Sequence, residues 1–309
     1  MNIVFYHANC LDGFAAAYAA WLFLDRDNTT FREVSYGDAV PDCVDAEADV
    51  YVLDFSWSAG ELLALRAKCR SLTVIDHHKT AIAALDAVRK SSDINVVFDL
   101  QHSGCVLAWQ YFCSNRVHVG ITIEMPESYK YIEHRDLGRM WDDAWNHAIP
   151  GGNTVCRELC FGLAYGLPRA FSAWLKDVSR TDLLLQRGAY IQAAMDDMVQ
   201  ALVRNVYQVH LGVRDGQPLW VPAVNTSALH SETGAALLKL YPEAPFACTW
   251  FASVRTTPVG PQVIYRYSLR SRRALRPVDV SMIAAAYGGG GHENAAGFES
   301  SVLLPSRSL

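Results

Sequence analysis

The sequence predicts an α/β fold, with a Rossmann-like parallel sheet in an N-terminal domain and a smaller α+β domain after it. Residues 1 to about 115 alternate between short apolar runs and amphipathic stretches, which is the rhythm of a parallel sheet. A long helical pattern covers about 182–206, and strand-like runs follow it. We therefore expect domains at 1–180 and 207–309, joined by a connecting helix at 181–206.

The pattern of apolar residues places the individual elements. Five strands are predicted in the first domain, at 3–6, 31–36, 50–54, 72–76 and 94–98. Helices are predicted at 13–24, 59–68, 80–88 and 103–112, and Ser103 has a side chain suited to the N-cap of the last one. The second domain is predicted to contain strands at 207–213, 220–224, 246–254, 262–269 and around 298–304, with a helix near 278–286.

Composition and charge exclude several classes of function. The formal net charge of -5 disfavours a protein that coats long duplex DNA, whereas small anionic substrates stay open if bound cations supply the positive charge. The apolar run at 14–24 is too short to cross a bilayer, and the first residues contain neither a basic segment nor a cleavage site. We expect a cytoplasmic protein without a membrane span.

Polar side chains that could bind a metal follow three of the predicted strands. They are His7 and Asp12 after the first strand, Asp54 after the third, and Asp76, His77 and His78 after the fourth. In an open α/β sheet, ligands bind at the carboxyl ends of the strands. Imidazole and carboxylate ligands without a thiolate suit manganese, iron or magnesium better than a structural zinc site.

Each of these residues also has an ordinary structural explanation. A single aspartate at a strand end usually caps a helix or forms a turn, and an isolated histidine is more often a packed side chain than a ligand. Their joint placement at one sheet edge favours the metal site. Two ions about 3.5–4 Å apart could share a carboxylate and hydrolyse a phosphate ester, and Asp54 is the candidate for that shared ligand.

Four motifs occur in a fixed order along the chain. They are H-x4-D-G at 7–13, V-L-D-F-S at 52–56, D-H-H at 76–78 and G-G-G-H-x3-A-G-F at 289–298. Their order and spacing resemble the DHH/DHHA1 phosphoesterase superfamily. Within it, the pattern is most similar to nanoRNase-type oligoribonucleases and related nucleotide phosphatases.

This resemblance implies roles for individual residues. Two divalent ions, manganese before magnesium, would be bound by His7, Asp12, Asp54, His77 and Asp136. The local match at Asp136 is weaker, so an acid on a helix surface is the open alternative there. Asp76 would orient a neighbouring imidazole, and His78 would face the scissile phosphate as a hydrogen-bond donor or general acid.

One departure from the family pattern affects the metals. The first motif of the family commonly supplies a further aspartate between His7 and Asp12, where this chain has Asn-Cys-Leu at 9–11. Asn9 could coordinate through its amide oxygen, but it carries no negative charge. Our hypothesis is that the second metal site is weak rather than absent.

The glycine run at 288–291 follows a predicted helix and lacks the Lys-Ser/Thr of a P-loop. Glycines allow backbone amides to approach an oxyanion closely. By resemblance, this loop binds the nucleotide or terminal phosphate of the substrate together with nearby polar side chains. The predicted substrate-binding residues are Arg270, Ser271, Gly289, Gly290, Gly291 and His292. For Arg272, Arg273 and Arg276, a solvated face and substrate contact are equal alternatives.

The function that these observations predict is metal-dependent hydrolysis of phosphodiester or phosphomonoester bonds. The expected substrates are short single-stranded oligonucleotides, cleaved by exonuclease action, or 3′-phosphoadenosine 5′-phosphate. Hydrolysis of cyclic dinucleotides is one alternative, and a nucleotide-binding regulator with an impaired metal site is another. Inorganic pyrophosphatase is disfavoured, because its relatives lack the glycine-histidine motif. The oligomeric state stays open, with a homodimer as one option.

Overall fold

The computed structural model describes residues 1–91, 93–114, 124–141, 146–148, 151–166, 170–172, 174, 180–214, 216–257, 260–272 and 278–309. The chain divides into two compact units, Met1–Ile191 and Gln192–Leu309, and each contains one sheet. The predicted fold class is confirmed. No helix in the described part of the chain is long and apolar enough to cross a membrane.

The first unit is built on a five-stranded parallel sheet. Its strands are β1 (Asn2–His7), β2 (Thr29–Val34), β3 (Asp49–Leu53), β4 (Ser71–Asp76) and β5 (Asn95–Phe98). They lie in the order β2-β1-β3-β4-β5, so every strand end that carries a candidate ligand points to the same edge. All five predicted strands are present, with ends within two residues of the prediction.

Helices cover both faces of this sheet. They are α1 (Leu11–Phe23), α2 (Ala59–Arg66), α3 (Ile82–Ser91), α4 (Gly104–Ser114), α5 (Glu127–Asp136) and α6 (Gly152–Gly166), followed by α7 (Thr181–Val203). Because side chains alternate along a strand, Val4 and Tyr6 pack in the layer of α1 and α4, whereas Ile3 and Phe5 pack in the layer of α2 and α3. Burial on both faces explains why these strands are almost continuously apolar.

The described part of the second unit contains a seven-stranded mixed sheet, two helices between its strands and the C-terminal part of α7. Its elements are β6 (Tyr207–Arg214), β7 (Gln217–Asn225), α8 (His230–Leu240), β8 (Phe246–Thr257), β9 (Gly260–Ser271), α9 (Val280–Ala286), β10 (Gly290–His292), β11 (Ala295–Ser300) and β12 (Ser306–Arg307). The strand order is β10-β11-β9-β8-β7-β6-β12, with only β7 and β8 parallel among the described pairs. Val280 and Ala284 of α9 pack in one apolar cluster, and Leu237 and Leu238 of α8 pack in another.

Two parts of this unit differ from the sequence-based expectation. Helix α8 was not predicted, because it begins after Leu229, whose backbone is left-handed and whose side chain makes no capping hydrogen bond. The last long strand begins at Ala295 rather than 298, and part of the expected glycine loop is the strand β10, which pairs with β11. Gly291 has φ of 137°, a conformation that glycine adopts without strain, so the run can enter a tight hairpin.

Candidate metal centre

His77 lies at the centre of a cluster of carboxylates at the carboxyl edge of the parallel sheet. Its Nε2 atom is 3.1 Å from Asp54 Oδ1, 3.4 Å from Asp136 Oδ2 and 3.6 Å from Asp12 Oδ2. His77, Asp12 and Asp54 are each only 1% exposed. One imidazole nitrogen therefore faces three acidic groups. Asp12 lies in α1, Asp136 ends α5, and Asp54 directly follows β3.

Asp54 lies between two imidazoles. Its Oδ1 faces His77, and its Oδ2 is 3.5 Å from His7 Nδ1. The residue directly follows β3 and has φ of 55°, in the left-handed region, where aspartate is one of the few side chains found with any frequency. This backbone conformation presents one carboxylate to two sides of the cluster, which is the geometry of a shared ligand.

The N-terminus of α4 is held against the same cluster. Asp12 accepts hydrogen bonds from the backbone N–H groups of Gly104 (2.7 Å) and Cys105 (3.0 Å). Glu133 of α5 accepts one from the N–H of Ser103 at 3.0 Å. Ser103 thus occupies the N-cap position that the sequence predicted, but two acidic side chains from other helices accept hydrogen bonds from the buried amides at this helix start.

Asp76 holds the two histidines that follow it. Its Oδ1 accepts hydrogen bonds from the backbone N–H groups of His77 (2.7 Å) and His78 (3.1 Å), and it lies 2.7 Å from His78 Nδ1. Burial alone would lower the pKa of His78, but the Asp76 carboxylate outweighs burial and raises it. The arrangement orients the His78 ring and favours its protonated form.

Burial and neighbouring charge shift the pKa values of the cluster in different directions. Burial would raise the pKa of Asp54, but contacts with His7 and His77 outweigh it and hold that pKa well below its ordinary value. Burial would lower the pKa of His77, whereas Asp54 and the other carboxylates raise it to about 10. Burial and then Asp54 raise the pKa of Asp12. The carboxylates around His77 thus favour the protonated form of its imidazole.

The polar atoms of the cluster fit a bound divalent cation. Among the described residues, His7 Nδ1, Asp54 Oδ2 and Asp136 Oδ2 are buried atoms without a hydrogen-bond partner. Such atoms are costly unless an ion or water satisfies them. Potential ligand atoms of two residue groups, Asp12-Asp54-His77 and His7-Asp54-His78, lie within 4.8 Å of one another, and Asp54 is common to both. Carboxylate and imidazole donors suit manganese or magnesium better than a closed zinc site.

The structure brings together five of the predicted ligands of the first unit, which are His7, Asp12, Asp54, His77 and Asp136. Asn9 is the exception. Asp136 ends α5 with its carboxylate turned toward His77, rather than lying on an outer helix surface. Asn9 is exposed, and its φ of 54° accounts for an asparagine in the turn between β1 and α1.

Comparisons with known proteins place the fold. No family model matches the chain. The Uncharacterized protein R106 of Acanthamoeba polyphaga mimivirus is 24% identical over 320 residues, which cover 96% of this chain and 67% of that protein. RecJ from Thermus thermophilus, solved in complex with Mn2+, is 16% identical with a TM-score of 0.50, over 96% of this chain and 49% of RecJ. The chain shares its two-domain fold with RecJ. The pGpG-specific phosphodiesterase PggH from Vibrio cholerae is 12% identical with a TM-score of 0.45, over 96% of this chain and 92% of PggH.

In the second unit, the predicted substrate residues are partly engaged within the protein. Arg270 Nη2 donates to Ser231 Oγ at 2.6 Å, next to the start of α8. Ser271 Oγ accepts a hydrogen bond from Asn294 Nδ2 at 3.0 Å, in the turn between β10 and β11. The N–H of Gly289 donates to the carbonyl of Ala284 at 2.8 Å, which caps the end of α9.

The rest of the glycine motif lies in the β10–β11 hairpin. Gly290 pairs with Gly297, Gly291 with Ala296, and His292 with Ala295.

Arg272 has a structural role in the same unit. Its guanidinium donates to the carbonyl oxygens of Ala244 (2.9 Å), Tyr241 (3.0 Å) and Leu238, at and beyond the end of α8. These bonds satisfy carbonyl groups that a helix end leaves open. Arg273 and Arg276 lie outside the described residues.

Two residues near the metal centre were not identified from the sequence. Glu133 links α5, which carries Asp136, to the amide of Ser103 directly before α4, and only a contact across 30 residues reveals this role. Tyr36 follows β2, and its ring centroid lies 5.3 Å from that of His7 and 5.9 Å from that of His78. An aromatic residue at the ligand-binding edge of a sheet was the available signal for Tyr36.

Proposed function

We propose that the chain is a divalent-metal-dependent phosphoesterase that hydrolyses short single-stranded oligonucleotides or 3′-phosphoadenosine 5′-phosphate. One observation carries the proposal. A single carboxylate, Asp54, faces His7 on one side and His77 on the other, and Asp12 and Asp136 complete the acidic cluster. Two ions that share one carboxylate are the arrangement suited to displacement at phosphorus.

Five residues would hold the metal ions, and they are His7, Asp12, Asp54, His77 and Asp136. Bound divalent ions supply Lewis-acid chemistry, drawing charge from phosphoryl oxygens and lowering the pKa of water. Manganese is the first metal to test, because the RecJ structure of this fold contains it. The second ion would bind more weakly, since Asn9 contributes no charge.

His78 would bind the scissile phosphate or protonate the leaving oxygen. The Asp76 carboxylate lies 2.7 Å from His78 Nδ1. This contact orients the ring and uses Nδ1 for a hydrogen bond within the protein. Because the pKa of His78 is raised, the imidazolium form persists at higher pH than in a free histidine. A proton donor held in place is what departure of an alkoxide requires.

The substrate class follows from the motif resemblance and from the protein's charge. A net charge of -5 leaves recognition of an anionic substrate to the local centre rather than to a broad basic surface, which favours short oligonucleotides or mononucleotides over long duplexes. Cyclic dinucleotide hydrolysis would use the same metal residues and is the alternative activity.

Hydrolysis of a substrate panel tests the proposal. The panel contains oligonucleotides of two to ten residues, 3′-phosphoadenosine 5′-phosphate and a cyclic dinucleotide, each assayed with Mn2+. We expect the wild type to release mononucleotides or phosphate, and His77→Ala to abolish this activity. His147→Ala is the matched control, because His147 is exposed and should leave the rate unchanged.

A nucleotide-binding regulator is the competing proposal, and it rests on the exposed Asn9 where the family pattern commonly has an aspartate. Binding of these substrates without turnover at saturating Mn2+ would favour the regulator and reject the enzyme.

A further inference from the structure

Tyr36 presents an open aromatic surface beside the metal centre. It lies two residues beyond the end of β2 and is 54% exposed. Its ring contacts Phe55 at a centroid distance of 4.9 Å and an interplanar angle of 46°, and it meets His7 and His78 at 76° and 78°. The described rings that contact Tyr36 meet it at angles of 46° to 78°, and more than half of the residue stays exposed.

A cavity opens next to this ring. Its volume is about 310 Å³, and its walls include the aromatic side chains of Tyr36, Phe55 and Trp57. This volume is at the lower end of the range for small-molecule sites, roughly 300–1,000 Å³. The cavity can therefore hold one planar ring system but not several nucleotides.

The cavity is preformed by hydrogen bonds. Trp57 Nε1 donates to the carbonyl oxygen of Asp38 at 2.9 Å. This bond connects the segment after Tyr36 to the side of the cavity that Trp57 forms. The Asp38 carboxylate accepts from the N–H of Ser35 at 2.7 Å, and Glu61 accepts from the N–H of Ser58 at 3.0 Å. Phe55 and Trp57 are 1% and 5% exposed, so the inner wall is fixed by packing.

The charges of the cavity select the kind of group that it accepts. Its described lining contains two carboxylates, Asp38 and Glu61, and no lysine or arginine. A phosphate would meet repulsion there without a compensating cation. A neutral, planar group that stacks on aromatic rings and offers hydrogen-bond donors fits both the shape and the charge.

We propose that this cavity binds the nucleobase of the nucleotide whose phosphate lies at the metal centre, with Tyr36 as the stacking surface. The inference rests on the proposed function, since it places a substrate phosphate among the metal-binding residues. The Tyr36 ring contacts both His7 and His78, so a base stacked on it would lie next to the imidazoles of the metal centre. Tyr36 is thus a residue that determines specificity: it selects a base-bearing substrate.

Equilibrium binding of two probes separates the base from the phosphate. Adenosine 5′-monophosphate and ribose 5-phosphate are titrated by calorimetry into the Mn2+-loaded wild type and two variants, Tyr36→Phe and Tyr36→Ala. Stacking of one base on an aromatic ring corresponds to roughly 5- to 150-fold in affinity. We expect Tyr36→Ala to weaken adenosine 5′-monophosphate at least fivefold and leave ribose 5-phosphate unchanged, whereas Tyr36→Phe should bind both like the wild type.

A second variant tests the cavity independently of Tyr36. Ala39 lines the cavity and is exposed, so Ala39→Phe should fill the space and weaken adenosine 5′-monophosphate without affecting ribose 5-phosphate. The proposal is overturned if Tyr36→Ala weakens both probes equally, or if neither variant changes the affinity for adenosine 5′-monophosphate. A wild type that shows this base-dependent binding but hydrolyses no substrate would retain the base site and reject the phosphoesterase.

Discussion

Asp12 accepts a hydrogen bond of 2.7 Å from the backbone N–H of Gly104, although 92 positions separate the two residues in the sequence. The same carboxylate lies 3.6 Å from His77 Nε2. Asp12 therefore joins two structures, the N-terminus of α4 and the candidate metal centre. The positive end of the helix dipole favours the ionised carboxylate, which opposes the effect of burial on its pKa.

Gly104→Ala should damage the metal centre. A methyl group at this position would lie 2.5 Å from Asp54 Oδ1 and 2.6 Å from Asp54 Cβ, so either α4 or Asp54 must move. We expect a loss of about 1–3 kcal/mol in the free energy of unfolding, as for other overpacked sites. Displacement of Asp54 should also weaken Mn2+ binding about tenfold or more. Denaturant unfolding and metal titration measure the two effects.

Gly60→Ala provides the control for that variant. Gly60 lies in the first turn of α2, and a methyl group there would have no neighbour within 4 Å. Alanine should leave Mn2+ affinity unchanged and add about 0.4–1 kcal/mol to stability. Equal Mn2+ affinity in the two variants would show that Gly104 does not position Asp54.

Asp54→Asn should abolish the stabilisation of the protein by Mn2+. Asparagine has nearly the same shape and also tolerates a φ of 55°, so the backbone after β3 can stay as it is. It brings no charge to the atoms that face His7 and His77. A ligand that binds only the native state raises the melting temperature. We expect saturating Mn2+ to raise the melting temperature of the wild type but not of Asp54→Asn; equal shifts would exclude Asp54 as a ligand.

The parallel sheet could be predicted because the pattern that identifies each strand lies within a few consecutive residues. A strand buried on both faces is a continuous apolar run, and Asp76, His77 and His78 directly follow such a run at β4. Parallel strands bring their carboxyl ends to one edge, so residues such as His7 and Asp54 could be assigned to one site before the structure was known.

The features that were not predicted depend on contacts between distant residues. Glu133 resembles any helix-surface acid until its carboxylate is seen on the amide of Ser103. The start of α8 carries no capping side chain at Leu229, so the usual sequence signal is absent from that position. The glycines at 290 and 291 look like a loop, whereas pairing with Gly297 and Ala296 makes them a strand.

Metal binding should release protons. In the metal-free protein the carboxylates around His77 raise its pKa to about 10, despite its burial, so the imidazole is protonated at neutral pH. A metal ligand must be a neutral imidazole. Mn2+ affinity should therefore increase as the pH rises toward 10, and binding at neutral pH should release about one proton from His77. Calorimetry in two buffers of different ionisation enthalpy measures this release, and identical binding enthalpies in both would contradict it.

Asn9→Asp should strengthen the weaker of the two proposed metal sites. Asn9 occupies the turn between His7 and Asp12, where a carboxylate would add negative charge near both residues, and aspartate tolerates its φ of 54° as well as asparagine does. We expect the variant to bind a second Mn2+ at lower metal concentration and to reach its full rate with less Mn2+. Asn9→Gly keeps the turn conformation but offers no ligand, so it should not improve binding. Because Asn9 is exposed, its side chain must turn toward the cluster to act as a ligand. If metal stoichiometry, affinity and rate are the same in Asn9→Asp as in the wild type, position 9 serves only the turn.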